Sequence, residues 1–311
     1  MEAINTLAPT HRDILLRAVA NVLSSPVAKQ TYAQIVDGLP LSEVARDVYT
    51  RRLCNGHPLL DQHKELCPGV AEEAEQLCSG LDTGALLMPS QSALPGSPRF
   101  SARLVELVAR AVHSIAAWLY TQDTSRHKTD ALGTWQPPEA QKRYYPRTFP
   151  ATLFCHPWYR DHDQYPKGIA DCVGYWAEGR ILGGVIVFDR RDPDLVKDAA
   201  PDAIYVHADR ARVIYRICRL LDSQTDELTE FLLADPTPQH YPLPILPSEA
   251  NLERVDPEQA LETTGIYRDK WERRLRPLEE TDWRTRDVSD FFNYTSPQDW
   301  REATWRSGKR R

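Results

Sequence analysis

Two stretches of this 311-residue chain have carboxylates whose spacing could do chemistry. In "DELTE", Asp226 and Glu230 stand at i, i+4 with Glu227 beside them. On a helix these carboxylates share one face, where like charges repel. Two things offset that repulsion: the dipole of a helix start, which favours acidic residues, or a cationic substrate held between the carboxylates. In "YWAEGRILGGVIVFDRR", Glu178 and the run Asp189, Arg190, Arg191 flank an apolar segment. Together with Tyr175 and Trp176 they are the candidate wall of a substrate pocket. Structural ion pairs occupy such positions as well. Further on come His207, Arg212, Arg216 and Arg219. On a strand, Arg212 and Arg216 share a face, which would make a surface for a carboxylate or phosphate.

Two further clusters hold ligand-type residues. "CNGHPLLDQHKELC" places Cys54, His57, His63 and Cys67 within one short stretch. Four such residues can close a structural zinc site. Their spacing fits no standard finger, so no metal is expected there. "FCHPWYRDHDQYPKG" carries His156, Asp161, His162 and Asp163 in a proline-broken loop, a composition suited to metal or acid–base work. Basic residues interleaved with aromatics recur in "QKRYYPR", "YRDKWERRLR" and "WRSGKRR". Residues 268–276 hold five cations against two acids in a chain of net charge -6. Such segregation suits phosphates and stacked bases, which makes Arg273, Arg274, Arg276 and Lys309 candidate RNA contacts. Solvated helix faces have the same look.

The sequence has no GxGxxG, GxxxxGK[ST], GxSxG or HExxH pattern, so nucleotide-redox, ATP-dependent and α/β-hydrolase chemistry lose weight and no cofactor is expected. The apolar share is 41% and the mean hydropathy is -0.51. No run of 18 uninterrupted apolar residues occurs, so no membrane span is expected. Six scattered cysteines and an opening "MEAINTLAPTHRD" without signal-peptide features point to reduced thiols and a cytoplasmic location.

The elements that must position these residues read as α+β. A helical N-terminal part spans 1–125, with Leu104, Val108, Val112, Ile115 and Leu119 as the apolar stripe of one long helix. Residues 126–150 are a linker or surface loop. An antiparallel β-sheet of about four or more strands with one helix occupies 151–235. "ADCVGYWAE" and "RILGGVIVFD" are expected to be its central hairpin, turning at Glu178-Gly179. Gly183-Gly184 would mark a bulge or a close approach. A proline-rich, helical wrap over 236–311 completes one unit with the sheet, with short helices near 257–263 and 267–275.

The block "HPWYRDHDQYPKGIADCVGYWAEGRILGGVIVFDRR" with "YVHADRARVIYRICRLL" resembles a large group of uncharacterised filamentous-fungal proteins. The resemblance covers roughly residues 145–295. Among fungal proteins of this kind, "DELTE" is similar to the acidic D-D-x-x-E motif of the arginine-containing cyclodipeptide synthases, with Glu227 in place of the second Asp. The resemblance implies a tRNA-dependent transferase of specialised metabolism. Asp226, Glu227 and Glu230 would hold the substrate guanidinium, and one of them or His207 would act as general base. The implied partners are aminoacyl-tRNA and a small-molecule substrate. A cofactor-free cyclase, isomerase or hydrolase, and a non-enzymatic binding protein, are the alternatives.

Overall fold

The computed structural model describes residues 2–3, 9–48, 56–81, 87–88, 96–138, 150–235, 240–257, 260–261, 264–274 and 297–308. The N-terminal part is helical, as expected. Its helices are α1 (Pro9–Ser24), α2 (Pro26–Asp37), α3 (Ser42–Arg46), α4 (Leu59–Gln62), α5 (Val70–Ser79) and α6 (Pro98–Thr121). A Ser-Pro pair starts both α2 and α6. The hydroxyl of Ser25 accepts from the Ala28 N–H, and that of Ser97 from the Phe100 N–H. The proline fills the first helical position, where no amide donor is needed. All five predicted stripe residues of α6 are buried.

The expected central hairpin is not a hairpin. Residues Ile169–Ile181 form helix α7, and only Val185–Asp189 is a strand, β3. Glu178 therefore lies in the last turn of a buried helix. The β-branched and aromatic residues misled because α7 is covered on every side, packing against α6, α2 and β3. A helix buried all round has no polar face to show the 3.6-residue period. Gly174 makes the α6–α7 contact possible. A Cβ there would lie 2.5 Å from the His113 ring on α6.

After α7 the chain turns at Gly183 (φ 105). A Cβ on Gly183 would meet the Ile245 carbonyl oxygen at 2.0 Å, so the expected close backbone approach is present. The sheet continues through β4 (Ile204–His207), β5 (Ile217–Arg219), β6 (Arg254–Val255) and β7 (Ile266–Tyr267). Its order is β6-β5-β4-β3-β7, with all neighbours antiparallel. The middle strand is thus β4, with β3 beside it. Val185 and Val187 face a tyrosine-rich cluster, while Ile186 and Phe188 face the main helical core. Both faces are covered, which accounts for the unbroken apolar run.

The proline-rich tail contributes the two edge strands. The expected helix at 267–275 is strand β7 followed by a turn, and the described part of 257–263 is also turn. Helix α8 (Asp222–Leu233) is as expected, started by Gln224 Oε1 accepting from the Leu221 N–H. Helix α9 (Pro297–Gly308), a 3-10 turn (His162–Gln164) and the pair β1 (Glu2–Ala3) with β2 (Leu87–Met88) complete the described elements. No described helix is long and apolar enough to cross a membrane.

Two substitutions test this packing by urea denaturation. Val185→Asp places an unpaired charge at a fully buried strand position and should leave no cooperative transition. Gly174→Ala should cost about 1–3 kcal/mol, the usual penalty of overpacking, because the ring it meets is pinned from both sides.

Candidate functional site

The wall expected around Glu178 is a buried chain of alternating charges. Helix α6 supplies Glu106, Arg110 and His113, spaced four and three residues apart. Helix α7 supplies Asp171 and Glu178, seven residues apart. Both spacings keep side chains on one helix face, and the two faces meet. His113 Nε2 lies 2.9 Å from Asp171 Oδ1, and His113 Nδ1 lies 2.8 Å from Glu178 Oε1. The guanidinium of Arg268, just past β7, donates two hydrogen bonds to Glu178 at 2.7 and 2.9 Å. From there the chain runs through Asp269 to Arg110, then to Glu106, which also receives Arg103 and Arg190.

Both ring nitrogens of His113 face carboxylate oxygens, so both donate and the ring is an imidazolium. Burial opposes that charge, but the bonds to Asp171 and Glu178 outweigh it and raise the His113 pKa. Burial would likewise push Glu178 up, yet Arg268 and His113 hold it below the usual carboxylate range. Glu178 is fully buried and its partners occupy both oxygens. It therefore holds α6, α7 and the β7 segment together. The expected substrate wall is thus a structural ion pair at this residue. Tyr175 packs its ring on His113 and under Arg268, and Trp176 packs on Phe154. Asp189 is bound by the guanidinium and N–H of Arg191 and by the Ala200 N–H.

His207 is also a core group. Its Nε2 donates to the Tyr215 carbonyl, so its Nδ1 accepts from the Tyr159 hydroxyl. Burial, then His156 and Arg273, push its pKa well below the ordinary value. His156 donates to the His207 carbonyl and is brought by burial to about 4.

The other predicted residues do not converge on this region. Asp226, Glu227 and Glu230 are exposed on α8, and Asp226 begins the second turn of the helix, beyond its first. Residues 211–216 are irregular, with Arg212 at φ 68, so Arg212 and Arg216 do not share a strand face. Arg273 corrects the RNA expectation: it is buried, bonded to Pro257 O, Ile266 O and Glu272, and stacked on Tyr159. A side chain so enclosed cannot reach a phosphate. Arg274 is exposed and paired with Asp163. Arg276 and Lys309 lie outside the described residues, as does Cys54.

A second convergence was only half legible. His63 and Cys67 meet Asp37, the last residue of α2, and His127, six residues beyond α6. His63 Nε2 stands 3.1 Å from His127 Nε2 and 3.2 Å from Asp37 Oδ2. Cys67 Sγ stands 3.6 Å from His127 Nε2, and Asp37 Oδ1 stands 3.7 Å from it. Among the described residues, Asp37, Cys67 and His127 form a group able to hold a metal ion. Burial and the Asp37 carboxylate push the Cys67 thiol up to about 11. His57 is not part of this group: its Nδ1 accepts from the Leu59 N–H and its ring packs on Trp135. The sequence signal was the His63/Cys67 pair; its partners are far along the chain.

Beside His127 a polar cleft of about 310 Å³ opens, lined by His57, Tyr120, Ser125, Lys128, Trp135 and Thr152 among others. An apolar groove of about 640 Å³ lies between α1, α2 and α5 and holds none of the predicted catalytic residues. No known protein family, no curated protein and no solved structure matches this chain.

Two measurements test the buried network. Glu178→Ala leaves Arg268 and His113 without a counter-charge and should cost about 3–5 kcal/mol in chemical denaturation. The pH dependence has two opposed parts. His113, with a raised folded pKa, stabilises fully below the unfolded value of about 6.5, and that stability fades as pH rises through its folded pKa. His156 is depressed, so the unfolded chain takes up its proton first and stability falls as pH drops from about 6.5 towards 4. The stability cost of His156→Gln should therefore shrink across that window; a cost independent of pH would show that His156 is not held neutral.

Proposed function

We propose that this protein binds a small polar molecule carrying a flat unsaturated ring, in the cleft beside His127. The observation that carries this reading is the cleft itself. At about 310 Å³ it falls at the small end of ligand sites, which run from about 300 to 1,000 Å³. His57 and Trp135 meet at its wall with ring centroids 4.7 Å apart, a platform for a flat ring. Tyr120, Ser125 and Thr152 bring hydroxyls able to donate or accept. The Lys128 ammonium is balanced by Asp123 at 2.8 Å, so the lining favours a neutral or weakly anionic ligand. The ends of α2 and α6 form part of the wall and give it fixed geometry.

This reading stands ahead of a tRNA-dependent cyclodipeptide synthase. That enzyme would use Asp226, Glu227 and Glu230, which are exposed on α8, and basic residues of which Arg273 is in the core. Calorimetric titration with nucleosides and aromatic carboxylates as probes should give saturable binding, weakened at least tenfold in Trp135→Ala. No binding from either probe class would reject the cleft as a ligand site. RNA retained by the purified protein, together with a new diketopiperazine in an expressing host, would restore the synthase reading.

A further inference from the structure

We infer that Asp37, Cys67 and His127 form a three-ligand site for zinc. The argument is geometric first. Ligand atoms at the usual zinc distances, about 2.0–2.1 Å for imidazole nitrogen and carboxylate oxygen and about 2.3 Å for thiolate, stand about 3.3 Å apart along the N/N and N/O edges of a tetrahedron and about 3.6 Å apart along its N/S edges. Within the group the separations are 3.7 Å for the N/O edge and 3.6 Å for the N/S edge, and the three ligand atoms all lie within 4.8 Å of one another.

Hydrogen bonding accounts for only part of the arrangement: His63 Nε2 and Cys67 Sγ stand within reach of His127 Nε2. Asp130 Oδ2 lies 2.5 Å from His127 Nδ1, fixing the ring proton on that nitrogen. His127 Nε2 then carries a lone pair aimed at the cluster. Asp37 is fully buried, and its Oδ1, turned to the same point, accepts no hydrogen bond. An orphaned carboxylate oxygen at zero exposure is costly, and a cation removes the cost. The charges close as well: one carboxylate, one thiolate and one neutral imidazole balance a divalent ion, so the filled site is neutral in a buried place. His63 Nδ1 is buried without a partner whether or not an ion is bound, so it does not bear on the choice.

The ligand types name the metal. A thiolate with an imidazole selects zinc over magnesium, calcium or manganese, which prefer all-oxygen sets. With three protein ligands the fourth position of a tetrahedral ion is left for water. Asp130 behind His127 is the carboxylate that orients a ligand imidazole. The ligands come from the end of α2, the segment between α4 and α5, and the loop after α6. The ion therefore ties the loop after α6 to α2 and to the segment before α5, which already share the main apolar core. The inference stands independently of any ligand in the neighbouring cleft.

The test uses the full chain, purified without added metal. Elemental analysis should show about one zinc per chain. Replacement by cobalt(II) should give the strong visible bands of a tetrahedral ion and a thiolate-to-cobalt charge-transfer band. Cys67→Ser should abolish the charge-transfer band, and His57→Ala, outside the cluster, should keep it. Asp130→Asn should weaken zinc by about 10–100-fold in chelator competition. Should Cys67→Ser fail to fold, the wild-type spectrum decides alone. Substoichiometric zinc with no thiolate–cobalt band, or a band lost in His57→Ala, would overturn the assignment.

Discussion

The structure depends on one buried carboxylate. Glu178 sits at zero exposure on a helix with no solvent face, held by two hydrogen bonds from Arg268 and one from His113. Bringing an ion out of water costs several kcal/mol, and only close, well-directed partners return it. Here the partners come from three distant segments: His113 from α6, Glu178 from α7 and Arg268 from the end of β7. The pairing is satisfied only when the helical part, the central helix and the last strand are all in place. A hydrophobic contact tolerates sliding; this network does not, and so it fixes the register of α6 against α7. Gly174 serves the same end by letting the His113 ring approach the α7 backbone.

Around that network the chain divides its chemistry. Towards β3 and β7 the charges continue to Glu106 and Arg190, near the surface. On the far face of the sheet, Tyr159, His156 and His207 pack as aromatic core groups with their polar atoms paired, and Tyr175 packs on Tyr159. These residues looked catalytic for the reason that makes them structural. Polar side chains in an interior need partners, and residues with partners at hydrogen-bond distance resemble catalytic sets. At the other end of α6 the opposite holds. Asp37, Cys67 and His127 bring lone pairs together with too few donors among them, and a polar cleft opens beside His127. The unbalanced cluster, rather than the balanced one, is where a ligand is called for.

Much of this was written in the sequence. The α+β class, the amphipathic α6 with its buried stripe, helix α8, strand β4 and the close approach at Gly183 follow from local period and glycine chemistry. These are properties of neighbours a few residues apart, and there the chain obeys its own pattern. The half-pair His63/Cys67 was legible for the same reason. Other features were decided by tertiary contact. Whether Ile169–Ile181 would be helix or strand turned on being enclosed on all sides, since full burial erases the amphipathic signal. Whether Glu178, His207 and Arg273 would act on a substrate or hold the core turned on partners found 90, 48 and 16 residues away. The cluster on Asp37 needed His127, contributed by a loop 60 residues beyond Cys67. Local composition sets which residues can ionise, bind or pack; only the fold sets which of them meet, because the free energy of a charge or a lone pair is fixed by what stands within a few ångströms of it in space.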